Sequence, residues 1–119
     1  LVLSQTDYQS MHEPCLYGWF DNGRHTFYGD RKQTSIWEYD RKSIEGHTTP
    51  KPVNLIVNAL KNSTKKRFII LDVFGGSGST LIACEQSERI CRMMELEPKY
   101  CDVILQRWEN LTGKKAILK

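Results

Sequence analysis

With 119 residues, a net charge of +3 and 39% hydrophobic residues, the chain suffices for one small single-core domain and is short for an enzyme built on a sheet covered on both faces. The basic residues are scattered, with Lys65-Lys66-Arg67 and Lys114-Lys115 among the few tight clusters, so charge points only weakly to an anionic partner. The four cysteines form no Cys-x-x-Cys pair and no apolar run approaches a membrane span, so we expect no metal site, buried free thiols, no membrane contact and a reducing, cytoplasmic setting.

Leu1 is not a methionine start and the first residues read as the middle of a strand or loop, so the chain is expected to be a piece of something longer. Residues 1–47 read as a β-rich segment. Cys15-Leu16-Tyr17-Gly18-Trp19-Phe20, an Asp21-Asn22-Gly23 turn and His25-Thr26-Phe27-Tyr28 together resemble a hairpin, and Ser35-Ile36-Trp37-Glu38-Tyr39 reads as a further short strand. Trp19, Trp37 and Trp108 read as core aromatics, and His12, His25 and His47 as structural or surface histidines. In the Arg24-to-Arg41 segment, Arg31, Lys32 and Arg41 lie among aromatics and suit contact with an anionic backbone and a solvated loop equally.

From Pro50 the periodicity changes. Val53, Ile56, Val57 and Leu60 recur at helical spacing, predicting a helix from about Pro52 to Asn62-Ser63. A strand follows over 67–73, a helix over 79–88 and a strand over 90–95. A last helix carries Tyr100, Val103, Ile104, Arg107, Trp108 and Leu111 on one face and stops at Thr112-Gly113. Helix-β-α-β-α is half of a doubly wound sheet, so the fold class is α/β and Rossmann-like but partial.

The most informative stretch is Ile69-Ile70-Leu71-Asp72-Val73-Phe74-Gly75-Gly76-Ser77-Gly78-Ser79-Thr80, a strand that ends at an acid, turns through glycines and restarts as a helix. Gly75, Gly76 and Gly78 permit left-handed backbone and close approach of a ligand, and the new helix offers its first N–H groups there. About twenty residues on, the usual distance to a ribose-binding carboxylate, stands Glu95 at a strand end. A dinucleotide fingerprint starting at Gly76 fails at Leu81, and no Gly-Lys-Ser/Thr follows the turn. S-adenosylmethionine fits what remains: its ribose diol can donate two hydrogen bonds to Glu95, and its amino-acid end can use the backbone of the glycine turn. Asp72 reads as cofactor-proximal. Glu97 is the alternative ribose ligand, or else a cap for the last helix ahead of Pro98.

Four stretches resemble the DNA amino-methyltransferases that modify adenine N6 or cytosine N4, in the arrangement with the catalytic motif ahead of the cofactor motif. His47-Thr48-Thr49-Pro50-Lys51-Pro52-Val53 is similar to the family's His-Pro-Thr-x-Lys-Pro segment, with Thr48 where the proline is usual. Residues 72–80 resemble its Asp-x-Phe-x-Gly-Ser-Gly-Thr-Thr corner, and Glu95-Leu96-Glu97-Pro98-Lys99-Tyr100 its Glu-Ile-Asp-Pro-Glu-Tyr strand end. Tyr8 to Trp19 is similar to a strand region of phage and prophage members.

The resemblance implies a methyltransferase fold with S-adenosylmethionine held by Lys51, Asp72, Phe74, Gly75, Gly76, Ser77, Gly78 and Glu95 over residues 48–119, and double-stranded DNA as substrate of the full-length protein. The family's catalytic Asp/Asn-Pro-Pro-Tyr/Phe is absent: Pro14, Pro50, Pro52 and Pro98 include no adjacent pair. No catalytic residue is assigned here, and the motif is expected upstream, in a missing half against which this piece packs; alone, the piece is expected to be inactive and to self-associate. The resemblance favours adenine N6 over cytosine N4. Two other functions stay open: a stand-alone cofactor-binding or pseudo-enzyme module serving a partner protein, and a methyltransferase of RNA or a small molecule.

Overall fold

A computed structural model describes residues 7–40 and 50–118. Pro52, with φ of −60°, delivers the chain into helix α1, Val53–Ser63. The apolar stripe read from the sequence is the face that packs: Val53, Ile56, Val57 and Leu60 lie against Ala83 and Cys84 of the next helix. At the far end the backbone N–H and the hydroxyl of Thr64 both donate to the Leu60 carbonyl, closing the last turn.

Strands β1, Ile69–Asp72, and β2, Ile90–Met93, run parallel with Ile69 opposite Ile90 and Asp72 opposite Met93. A parallel pair needs a crossover, supplied by helix α2, Ser79–Gln86, in which Ile82, Ala83 and Cys84 are buried. Helix α3, Pro98–Thr112, follows β2, packs beside α2 and ends where Gly113 takes φ of 70°.

Each element lies where its pattern placed it, and the shortened ends have local causes. β1 begins at Ile69 because Arg67 is left-handed, its N–H turned to the Glu88 carbonyl. α2 stops at Gln86 because Ser87 turns its hydroxyl back onto the Ala83 carbonyl and Glu88 takes φ of 59°.

The two faces of the sheet differ. Ile70 and Cys91 point into the core under α1 and α2, whereas Ile69 and Leu71 on the other face are 65% and 68% exposed. A doubly wound sheet has helices on both faces; among the described residues helices cover one face.

The N-terminal β-rich segment is a correction. Among residues 7–40 no strand forms. The expected hairpin is only a chain reversal: the Gly23 N–H reaches the Phe20 carbonyl at 2.8 Å, and His25 stacks on Trp19 with ring centroids 3.9 Å apart. A two-stranded hairpin without a covered face is marginal in water, and this one leaves Leu16 and Phe20 almost fully exposed. Residues 35–39 satisfy themselves locally instead of in a ladder, the Trp37 indole donating to the Thr34 carbonyl and the Thr34 hydroxyl to that of Ile36. Trp19 and Trp37 are accordingly exposed, not core. The segment meets the helical part at a few points: the Tyr28 N–H bonds the Asn62 carbonyl at 2.7 Å, and Asn58 donates to Gln33. His47, Thr48 and Thr49, with the boundary expected between 47 and 48, lie outside the described residues.

Candidate cofactor site at the glycine corner

The corner is built from the carboxyl ends of both strands. Asp72 accepts the Phe74 N–H on its side chain at 3.0 Å, turning the chain out of β1, while its carbonyl still accepts the Met94 N–H. One residue further the Gly75 N–H donates to the Met94 carbonyl at 2.8 Å, so the start of the turn is tied down to the β2 side. A Cβ on Gly75 would stand 2.8 Å from Met93 Sδ; one on Gly78, where φ is 77°, would stand 2.9 Å from Ile104 Cγ1. Gly76 is also left-handed, with φ of 54°. The Gly78 N–H closes the turn onto the Gly75 carbonyl, and its own carbonyl receives the Ile82 N–H that opens α2. Gly78 has no side chain to cap that helix, so the first N–H groups of α2 face the corner without a side-chain acceptor at the N-cap.

Glu95 crosses over this turn. One carboxylate oxygen accepts the Gly76 N–H at 2.6 Å and the other the Glu97 N–H at 2.9 Å. It thereby joins the glycine turn to the β2–α3 connection. Glu97 occupies the N-cap position of α3, yet its carboxylate makes no cap bond; its carbonyl does that work, accepting from Tyr100 and Cys101. The helix-cap reading of the Glu97 side chain is therefore a correction.

Hydrogen bonds and chain continuity bring together Asp72, Gly75, Gly76, Ser77, Gly78 and Glu95, with Phe74 on the rim at 86% exposure. Lys51 is joined to none of them by a hydrogen bond or ion pair; its ammonium is held by Glu13 of the N-terminal segment. Sequence reasoning missed Glu13 and, on α3, Arg107, whose guanidinium reaches the carbonyl and hydroxyl of Ser77 and the hydroxyl of Ser79. The signal for Arg107 was present as the one charged residue in the otherwise apolar face of that helix.

Behind the corner, burial pushes the Cys84 thiol up to about 12 and raises that of Cys91 as well. Cys84 is buried, Cys91 and Cys101 are half-buried and Cys15 is exposed, all as free thiols. Among the described residues no group of three or more His, Cys, Asp or Glu could hold a metal ion, and no helix is long and apolar enough to cross a membrane.

Residues 4–106 match the family described as DNA methylase. Over 83 residues, 69% of this chain, the sequence is 34% identical to the type II methyltransferase M.Cfr9I of Citrobacter freundii, and over 105 residues, 87% of the chain, 31% identical to M.XycI of Xanthomonas campestris pv. cyanopsidis. The chain spans 28% and 32% of those relatives, about a third of their length. Among solved structures, the M1.HpyAVI–SAM complex superposes with a TM-score of 0.60 at 27% identity, over 71% of this chain and 43% of that one. A putative DNA modification methylase from Thermus thermophilus, complexed with S-adenosyl-L-methionine, gives 0.52 at 27% identity, over 57% and 29%.

Proposed function

The chain belongs to the DNA methylase family of adenine N6 and cytosine N4 methyltransferases, and from this premise we propose that it is the S-adenosylmethionine-binding half of a site-specific DNA methyltransferase. The observation that carries the reading is Glu95 astride the glycine turn at the carboxyl ends of two parallel strands, where open α/β sheets bind ligands. Here Glu95 would accept the ribose hydroxyls, the backbone of Gly76, Ser77 and Gly78 would meet the amino-acid end, and Asp72 and Phe74 would line the approach. Lys51, whose ammonium is paired with Glu13, is included in the set on the family resemblance alone. Two of the solved structures that superpose on this fold are complexes with S-adenosylmethionine, which supports the assignment.

The cofactor supplies an electrophilic methyl group on sulfonium. The residues of this chain bind and orient it, and none is a catalytic residue. An exocyclic base amine is a poor nucleophile because its lone pair is delocalised into the ring, so activity needs a pocket for a flipped base, built in this family by an adjacent-proline motif that these 119 residues do not contain. We place that motif in the half that covers the bare face of the sheet, with double-stranded DNA as substrate, adenine N6 favoured as target and the cytoplasm as the location. The exposed Ile69 and Leu71 make self-association of the isolated piece the corollary.

Titration calorimetry with S-adenosylmethionine and its demethylated product tests the cofactor half of the proposal; a folded chain that binds neither at millimolar concentration refutes it. A tritium-transfer assay on unmethylated DNA tests the rest. The 119 residues alone should transfer nothing and the full-length product should be active, and digestion of the labelled DNA to nucleosides then identifies the base.

A further inference from the structure

We infer that Arg107 is a positioning residue for the cofactor site, acting through Ser77 and Ser79 to hold the glycine corner in the shape that receives the amino-acid end of the cofactor. The inference rests on the cofactor reading above. Arg107 Nη1 donates to the Ser77 carbonyl, to Ser77 Oγ at 3.2 Å and to Ser79 Oγ at 3.4 Å, and the two hydroxyls lie 3.2 Å from each other. Both serines are buried, so a donor withdrawn from them would leave polar oxygens without water to replace it. Ser77 sits between two left-handed glycines, Gly76 and Gly78. Glycine backbone is free to leave that conformation, and the bonds to Ser77 oppose it from behind while Glu95 holds Gly76 from the front.

One turn earlier on the same face of α3, Ile104 fills the space that Gly75 and Gly78 leave by lacking side chains. Positions 104 and 107 therefore touch every residue from 75 to 79 except Gly76, one through apolar contact and the other through hydrogen bonds. A long cationic side chain ordinarily lays its stem on apolar surface and leaves its head in water. This one turns its head inward onto neutral oxygens of the corner, and among the described residues it forms no ion pair with a carboxylate. Burial draws its pKa below the ordinary guanidinium value, yet arginine remains charged at any working pH.

The test uses the protein in the longest form in which it is encoded, with calorimetry on two ligands: S-adenosylmethionine, and methylthioadenosine, which lacks the amino-acid end. Arg107→Met retains the stem and removes the donors. It should weaken S-adenosylmethionine by about tenfold, equivalent to ~1.4 kcal/mol, and methylthioadenosine by less than about twofold. Arg107→Lys, whose ammonium is one atom shorter but still donates, should recover part of the loss. Unchanged affinity for S-adenosylmethionine in Arg107→Met, or an equal loss on both ligands, overturns the inference while leaving the cofactor reading standing. A wild-type protein that binds neither ligand sinks the cofactor reading and this inference with it. If Arg107→Met does not fold, Arg107→Lys decides on the same two ligands, and failure of both to fold shows a structural role and overturns the positioning one.

Discussion

Residues 53–112 hold three helices and a parallel pair of strands, while residues 7–40, richer in aromatic side chains, hold no regular element. The difference is one of closure. β1 and β2 are only four residues each, but they are tied at one end where Arg67 donates to Glu88 and at the other where Gly75 donates to Met94, and α2 lies between them in sequence and against them in space. The N-terminal segment has a turn where the sequence places one, but among the described residues no neighbouring strand forms a ladder with its flanks, which meet the helical part only at isolated points such as the Tyr28–Asn62 bond. Strand-forming side chains state a preference for a half-covered surface, and without that surface the preference goes unexpressed.

Glycine substitutions should separate the regions most sharply. Gly78→Ala combines φ of 77° with a Cβ 2.9 Å from Ile104, and should lower stability by about 2–4 kcal/mol in urea titrations. Gly18→Ala has nothing within 4 Å of the added carbon and should change stability by less than ~0.5 kcal/mol. Equal effects would show that the two regions are not different in kind.

Leucine truncation gives the same contrast at somewhat smaller scale. Leu60→Ala removes a side chain that is 8% exposed in the α1–α2 contact and should cost about 2–3 kcal/mol, against nothing measurable for Leu16→Ala at 99% exposure. A substantial cost at Leu16 would mean that the N-terminal segment is packed in solution.

Glu95→Ala should weaken S-adenosylmethionine by about 1–3 kcal/mol in calorimetry, since it removes the acceptor of the Gly76 and Glu97 N–H groups as well as the proposed ribose contact. An unchanged affinity would move the ribose role to Glu97.

The smallest effect near neutral pH concerns the thiols. The Cys84 pKa is raised by burial to about 12, so the unfolded chain ionises this thiol before the native one does. The contribution is complete below the ordinary thiol range and is lost as pH climbs from there toward 12, so unfolding should become progressively easier across that window in the wild type and less so in Cys84→Ala. At a pH of about 8 an alkylating reagent followed by mass spectrometry should label Cys15 first and Cys84 last. Early labelling of Cys84 would place the opening of the α1–α2 core within reach of ordinary fluctuations.

The site was legible to the extent that its residues are neighbours in sequence or separated by a standard interval. Asp72, the three glycines and Ser77 fall in one run, and Glu95 was found because a βαβ unit returns the chain about twenty residues later to the strand beside its start. Arg107 was not found, because a charged residue on a helix face carries no sign of which backbone carbonyl it will meet 30 residues away. The Glu13 partner of Lys51 was missed for the same reason, being 38 residues distant and on another segment.

Local periodicity and punctuation by themselves determined the C-terminal elements: the helical stripe of α1, the apolar runs of β1 and β2, Pro52 and Pro98 at helix starts and Gly113 at a helix stop. These signals act between residues a turn apart, and their energies are present in the chain before it folds. Only the tertiary structure decided which face of the sheet is covered, that the aromatic N-terminal residues do not become strands, and that α3 turns Ile104 and Arg107 onto the glycine corner. Each of those outcomes depends on surface supplied by another element, and no property of a single segment specifies what will stand beside it.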